Sequence, residues 1–244
     1  MSEYDDLDDL GNLDDAGDDV DSLAAASERI ANIAAEKAAE ARARMEEGWE
    51  PPPRRDPRMD QAVGDWERSC PELYREVTWE SISQNTTDEF LNAQAKTERW
   101  LERPEGNLLI FGPVGTGKTT LAIAACRELA FRYGWHPRFA TATQFFDEVR
   151  PEGGSRVEEY IKRRVLLIDD LGAGRNEMTQ FESDRLTRLV DERHLNNRIT
   201  IITSNSNSST FKAQLGERLY DRILHHSLVV VLNGKSQRVE RWSE

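Results

Sequence analysis

Short runs of apolar or β-branched residues recur at 108–112, 138–143, 165–169, 199–204 and 228–232, with stretches of helical spacing between most of them. Runs of this length and composition fit strands. Strands that alternate with helices predict a parallel sheet wrapped by helices, an α/β fold. A helix over 81–103, with Phe90, Ala93, Ala95 and Trp100 among its apolar positions and Trp79 just ahead, leads into the first run. A second helix, including Leu121–Ala130, follows that run, and Phe145 and Phe146 read as core.

The pattern differs toward the amino end. Residues 22–48 are rich in Ala, Glu, Lys and Arg, with Leu23, Ile30 and Ile33 on one side, Asp21 and Ser22 as N-cap candidates and Gly48 placed to end the helix. One long helix is predicted. Its apolar face is mostly alanine and offers little area to bury, so docking to a partner protein is expected rather than packing on the core. Pro51, Pro52 and Pro53 stop the helix, and residues 49–69 read as a linker ahead of a domain at 70–244. Residues 1–21 are Asp-rich and poor in apolar side chains, a composition that predicts a disordered acidic tail.

A length of 244 residues accommodates one α/β domain with an appendage. The net charge of −13 argues against a nucleic-acid partner only at first sight, because residues 1–21 alone hold nine Asp and one Glu and no base. Without them 35 acids face 32 bases, a balance of −3, which is compatible with a DNA-binding face. Two cysteines, Cys70 and Cys126, are too few for a disulfide framework and predict reduced thiols in a cytoplasmic protein. No apolar stretch approaches the ~18 residues that a membrane helix needs, so no membrane association is expected. The four histidines show no metal-ligand spacing with the cysteines.

The candidate chemistry starts at the end of the first run. Gly112, Pro113, Val114, Gly115, Thr116, Gly117, Lys118 and Thr119 complete a G-x-x-x-x-G-K-[ST] loop between a predicted strand and a predicted helix. Glycine lets such a loop turn through positive φ and bring backbone N–H groups against phosphate oxygens. These residues and Thr120 are the expected nucleotide ligands. Lys118 would reach the β- and γ-phosphates, and Thr119 would put its hydroxyl on Mg²⁺. The third run ends in Asp169 and Asp170, about 50 residues after the loop. An Asp pair alone more often caps the next helix. Coupled to a phosphate loop, Asp169 reads as a Mg²⁺ ligand and Asp170 as the group that polarises the attacking water. The fourth run ends Thr203-Ser204-Asn205, which places an amide where the γ-phosphate and that water could be sensed. Near the carboxyl end, Arg218, Arg222 and Arg238 are candidates for transition-state contacts, although surface arginines also serve in ordinary ion pairs.

In order and content the motifs at 111–119, 166–172, 201–205 (Ile-Ile-Thr-Ser-Asn) and 215–222 (Leu-Gly-Glu-Arg-x-x-Asp-Arg) resemble the AAA+ ATPases of the DnaC type, loaders of the bacterial replicative helicase. The resemblance covers roughly residues 75–244. The IstB-type ATPases that assist transposition share the same core. The resemblance implies a five-stranded parallel sheet of order 5-1-4-3-2, no separate C-terminal lid, and a nucleotide site completed by a neighbouring subunit. It also implies that Asn205 is the sensor asparagine, Arg222 an arginine finger acting in trans with Arg218 as its alternative, and Arg238 a second sensor at the γ-phosphate. Residues Cys70–Arg75 are similar to the entry segment that passes near the adenine. One departure stands out: position 170 is Asp where many AAA+ proteins have Glu, one methylene longer, which predicts slow hydrolysis.

The reading that follows is an ATP- and Mg²⁺-dependent loader. Its helix at 22–48 would grip a hexameric replicative helicase, and its core would bind single-stranded DNA. Arg150, Arg156, Lys162, Arg163, Arg164 and Arg175 are candidates to track phosphates. Three alternatives stand beside it: a transposition helper that recruits a transposase, a nucleotide-gated switch with little turnover, and a small-molecule kinase, which the paired carboxylates and strand-end asparagine disfavour.

Overall fold

Strand β1 (Asn107–Phe111) shows how the core divides. Leu108 and Ile110 enter one buried cluster and Leu109 the other, with Phe111 beside it. Successive strand residues point to opposite faces, so an unbroken apolar run gives both faces something to bury. The computed structural model describes residues 56–83, 87–150, 156–172, 178–234 and 236. Strands β2 (Pro137–Thr141), β3 (Val165–Asp169), β4 (Ile199–Ser204) and β5 (Ser227–Val231) complete one sheet. All pairings are parallel and the order is β2-β3-β4-β1-β5, the expected 5-1-4-3-2 read from the other edge. Ile202 lies beside both Leu109 and Ile168, which aligns the carboxyl ends of the three central strands. Among the described residues no helix follows β5.

One face carries α1 (Pro57–Ser69), α2 (Trp79–Ile82), α3 (Asp88–Glu102) and α4 (Lys118–Tyr133), which share the cluster of Trp66, Phe90, Leu121 and Leu129. Helix α4 is buried from Leu121 to Cys126 without a break, and its alanines let it approach the sheet closely. The other face carries α5 (Ala142–Glu148), α6 (Val157–Lys162), α7 (Gln180–Leu195), α8 (Ser208–Leu215) and α9 (Glu217–Leu224) around Phe145, Tyr160, Leu189 and Phe211. Phe145 and Phe146 are core residues, as expected.

Three expectations change. The stretch read as a linker at 49–69 is helical from Pro57, and Ala62 and Trp66 of α1 are buried against α4. Proline at the first helical position starts a helix as readily as it ends one elsewhere, and Asp56 caps this start by accepting from the Arg58 N–H. The helix expected over 81–103 is divided into α2 and α3, capped by Thr78 and Thr87. The run at 138–143 leaves the sheet at Thr141, which forms a capping box with Gln144 and opens α5. The acidic tail at 1–21 and the helix at 22–48 lie outside the described residues, as do Arg175 and Arg238.

Candidate nucleotide site

The loop from Gly112 to Gly117 leaves β1 and turns into α4 through three glycines at positive φ: Gly112 at 153°, Gly115 at 83° and Gly117 at 89°. A Cβ on Gly112 would overlap the carbonyl oxygen of Leu232, so this position needs glycine for space as well as for conformation. Within the loop the Thr116 hydroxyl donates to the Pro113 carbonyl at 2.9 Å. Lys118 is only 6% exposed, and its ammonium donates to the same carbonyl at 2.7 Å. The lysine is thus folded back over the loop that a phosphate chain would fill.

At the end of β3, Asp169 Oδ1 accepts from two hydroxyls, Thr119 Oγ1 at 2.8 Å and Thr203 Oγ1 at 2.6 Å. Asp170 follows with φ of 62°, a left-handed conformation that Asp adopts more readily than longer side chains do. Its backbone N–H donates to Thr203 Oγ1 at 2.8 Å, and its carboxylate accepts from the Asn205 side-chain amide. Burial raises the Asp170 pKa from its ordinary 3.8, and the neighbouring Asp169 charge raises it further, against the opposing influence of Lys118 and Asn205. A carboxyl so placed holds a proton more firmly than a solvated Asp, which suits a group that must accept one.

A cavity of about 560 Å³ collects these groups: Lys118 and Thr119 from α4, Asp169 and Asp170 from β3, and Thr203 and Asn205 from β4. Tyr74 closes one side, so the segment Cys70–Arg75 reaches the cavity through this residue. Val114, Gly115, Gly117 and Thr120 also line it. Of the sequence candidates, Arg222 stands apart on α9. Its guanidinium donates to Asp191 on α7 at 2.6 Å, a partner different from its chain neighbours Asp221 and Glu217. Arg218 is exposed on the same helix. Two of the basic candidates already have acidic partners, Arg150 with Asp147 and Arg156 with Glu148.

Thr203 is the residue that sequence reasoning underweighted. It links the Asp169 carboxylate to the Asp170 backbone N–H although it reads as one more β-branched position in a strand. Its signal is a hydroxyl at the buried end of an isoleucine run. Gln214 is a second such residue: its amide donates to the Gly172 carbonyl at 3.0 Å and its oxygen accepts from Ser206 at 2.9 Å. This ties the loop after β3 to the loop after β4.

The oxygen donors of Thr119 and Asp169 suit Mg²⁺, a hard cation that takes oxygen ligands. Cys70 and Cys126 are both free thiols, and burial pushes the Cys70 pKa up to about 11, which leaves it unreactive. Among the described residues no helix is long and apolar enough to cross a membrane.

Comparison with known proteins agrees with this geometry. A replicative helicase loader, DnaC of Escherichia coli K12, is 32% identical over 159 residues, 61% of this chain and 64% of its own. An ATP-binding protein of an insertion sequence from Mycobacterium tuberculosis is 31% identical over 150 residues, 57% of this chain and 58% of its own. The chain therefore spans about three-fifths of the length of these relatives. The crystal structure of a DnaC helicase loader superposes with a TM-score of 0.61 at 19% identity, over 67% of this chain and all of that one, which shows a shared AAA+ fold. The profile of the IstB-like ATP binding proteins matches residues 76–244. With the phosphate loop, the strand-end carboxylates and this match in place, the chain belongs to the IstB-like ATP-binding proteins, P-loop proteins of the AAA+ fold.

Proposed function

We propose that this protein hydrolyses ATP with Mg²⁺ and uses the cycle to deliver a hexameric replicative helicase to single-stranded DNA in the cytoplasm. The observation that carries the hydrolytic part is the convergence of Thr119, Asp169, Asp170, Thr203 and Asn205 at the carboxyl ends of β3 and β4. Thr119 and Asp169 would hold Mg²⁺, directly or through water. The ion would supply neutralisation of charge on the nucleotide's phosphates. Lys118 exchanges the Pro113 carbonyl for phosphate oxygens. Asp170 orients the attacking water and accepts its proton, and Asn205 keeps that carboxylate in place while sensing the γ-phosphate. A neighbouring subunit supplies Arg222, or Arg218 beside it, and Arg238 contacts the γ-phosphate.

Lys118→Ala is expected to abolish ATP binding, because it removes the side-chain cation aimed at the phosphates. Isothermal titration with ATP and Mg²⁺ measures this directly, and parental affinity in the variant would move the site elsewhere. Binding of labelled oligothymidylate should be tighter with ATP than without it and should weaken steeply with salt, since each phosphate contact releases counterions. Anisotropy at low salt that shows no binding would leave a protein-binding switch.

The DnaC relative supports the loader reading, and the insertion-sequence relative supports a second one, recruitment of a transposase by the same ATPase. Capture with the full chain and with residues 22–48 deleted, followed by identification of what is retained, separates them. A replicative helicase lost on deletion supports the loader, and a transposase in its place supports the second reading.

A further inference from the structure

The amino ends of the strands, roughly 15 Å along β3 from the nucleotide site, hold a second and larger cavity of about 1000 Å³. Arg164, which immediately precedes β3, and Arg198, which immediately precedes β4, line it together with His194 of α7, Asn197 and His226. Glu105 is the one carboxylate among the described lining residues. Neither arginine forms an ion pair with a described carboxylate. Arg164 instead donates to the Asn197 carbonyl, and Arg198 to the Ile161 carbonyl. A guanidinium has five N–H donors, so each retains others for a ligand.

A third guanidinium lies behind these two. Arg193 is 1% exposed, and its donors go to the Thr200 hydroxyl at 2.9 Å and to carbonyls, including Tyr160 at 2.7 Å and Arg163 at 2.8 Å. Among the described residues no carboxylate pairs with it. Burial lowers its pKa to about 9, and the charges of Arg198 and Arg164 push in the same direction. Three positive groups therefore repel one another in one corner of the fold, a cost that a bound anion would relieve.

The imidazoles add to this corner. His194 and His226 stack with ring centroids 6.0 Å apart, and His225 lies 4.2 Å from His226. Among the described residues no group of three or more His, Cys, Asp or Glu is disposed to hold a metal ion, and each imidazole offers at least one ring N–H as a hydrogen-bond donor. The backbone is also unusual here. Asn197 and His226 have positive φ, and the other non-glycine residue of that kind among the described residues is Asp170 in the nucleotide site. Backbone strain of this sort tends to persist where a site is built.

We infer that this cavity binds phosphate groups, as a second anion site on the edge of the sheet opposite the nucleotide. Bidentate guanidinium and imidazole N–H donors match phosphate oxygens, and neither a neutral nor a cationic ligand would offset the charge. Two sources of that chemistry exist, the backbone of a nucleic-acid strand and a small inorganic phosphate. The inference stands apart from the ATPase reading, since it invokes none of the groups at the carboxyl ends of the strands, and only its nucleic-acid arm, through Arg164, rests on the loader reading.

The test uses the full chain with ADP and Mg²⁺ present throughout to fill the phosphate loop, and follows the imidazole signals of the four histidines by NMR. Titration with inorganic pyrophosphate and, separately, with oligothymidylate should shift His194 and His226 while leaving His136 in place. Arg164→Gln and Arg198→Gln, each checked for unchanged ADP binding as proof of folding, should weaken that response about tenfold or more. Response to the oligonucleotide assigns the site to a nucleic-acid strand, and response to pyrophosphate alone assigns it to a small anion. Signals that stay still with both probes, or shifts that persist at the same concentrations in both variants, would overturn the inference.

Discussion

Arg222→Ala protein is expected to bind ATP as the parent does and to hydrolyse it more slowly by about 10³–10⁵, the contribution of an arginine finger. In the single chain Arg222 does not line the cavity at the phosphate loop; it is paired with Asp191 of the neighbouring helix α7. Both side chains of the pair are partly exposed, and such pairs contribute only ~0–1 kcal/mol, so a neighbouring subunit's nucleotide competes for the guanidinium at little cost. Mixing decides between trans and local roles. Arg222→Ala subunits keep an intact loop, and Lys118→Ala subunits keep an intact arginine. Combined, the two inactive proteins should recover part of the activity at their shared interfaces. No recovery across a range of ratios, with mixed assembly confirmed by mass, would return Arg222 to a structural pairing with Asp191. Asp191→Asn provides a control, because loss of a purely structural pair would lower stability in both variants alike.

Asp170→Asn should keep ATP affinity and lower turnover by about 10²–10⁴, the range of general-base catalysis. The substitution is well suited to the site. Asparagine tolerates the left-handed backbone at this position, so the main-chain N–H bond to Thr203 survives. Asp169 keeps its two hydroxyl donors, and only the proton acceptor is lost. Single-turnover hydrolysis with bound ATP measured separately reads the chemical step. Rates equal to the parent would place the water-activating carboxylate elsewhere. Asp170→Glu gives the complementary result: a longer side chain fits the left-handed backbone at this position less well and disturbs the contact with Asn205, so hydrolysis should be no faster than in the parent.

The phosphate loop and the carboxylate pair were legible because their chemistry is local. Gly112, Gly115 and Gly117 are consecutive turns of one loop, and Asp169 and Asp170 are neighbours in the chain, so spacing alone specifies them. The strands were legible for a similar reason: a strand covered on both faces leaves little room for charge, and the runs of the three central strands β1, β3 and β4 are largely apolar or β-branched. The helix α1 was not. Pro57 breaks a helix in its interior and begins one at its edge, and only the burial of Trp66 against α4 says which applies. The division at 83–87 and the exit of the chain at Thr141 likewise depend on caps that compete with continued helix or strand.

The amino-acid sequence by itself determined the nucleotide loop, the parallel α/β class and the carboxylates that end β3, since each follows from residues close together along the chain. The tertiary structure alone decided what lies across from them. It placed Thr203 between the Asp169 carboxylate and the Asp170 backbone N–H, turned Asn205 onto Asp170, paired Arg222 with Asp191, and gathered Arg164, Arg193 and Arg198 at the far edge. The hydrogen-bonded partners among these sit 31 to 35 residues apart. Which distant side chains meet is set by strand order and register, and register is a property of the packed sheet rather than of any one segment.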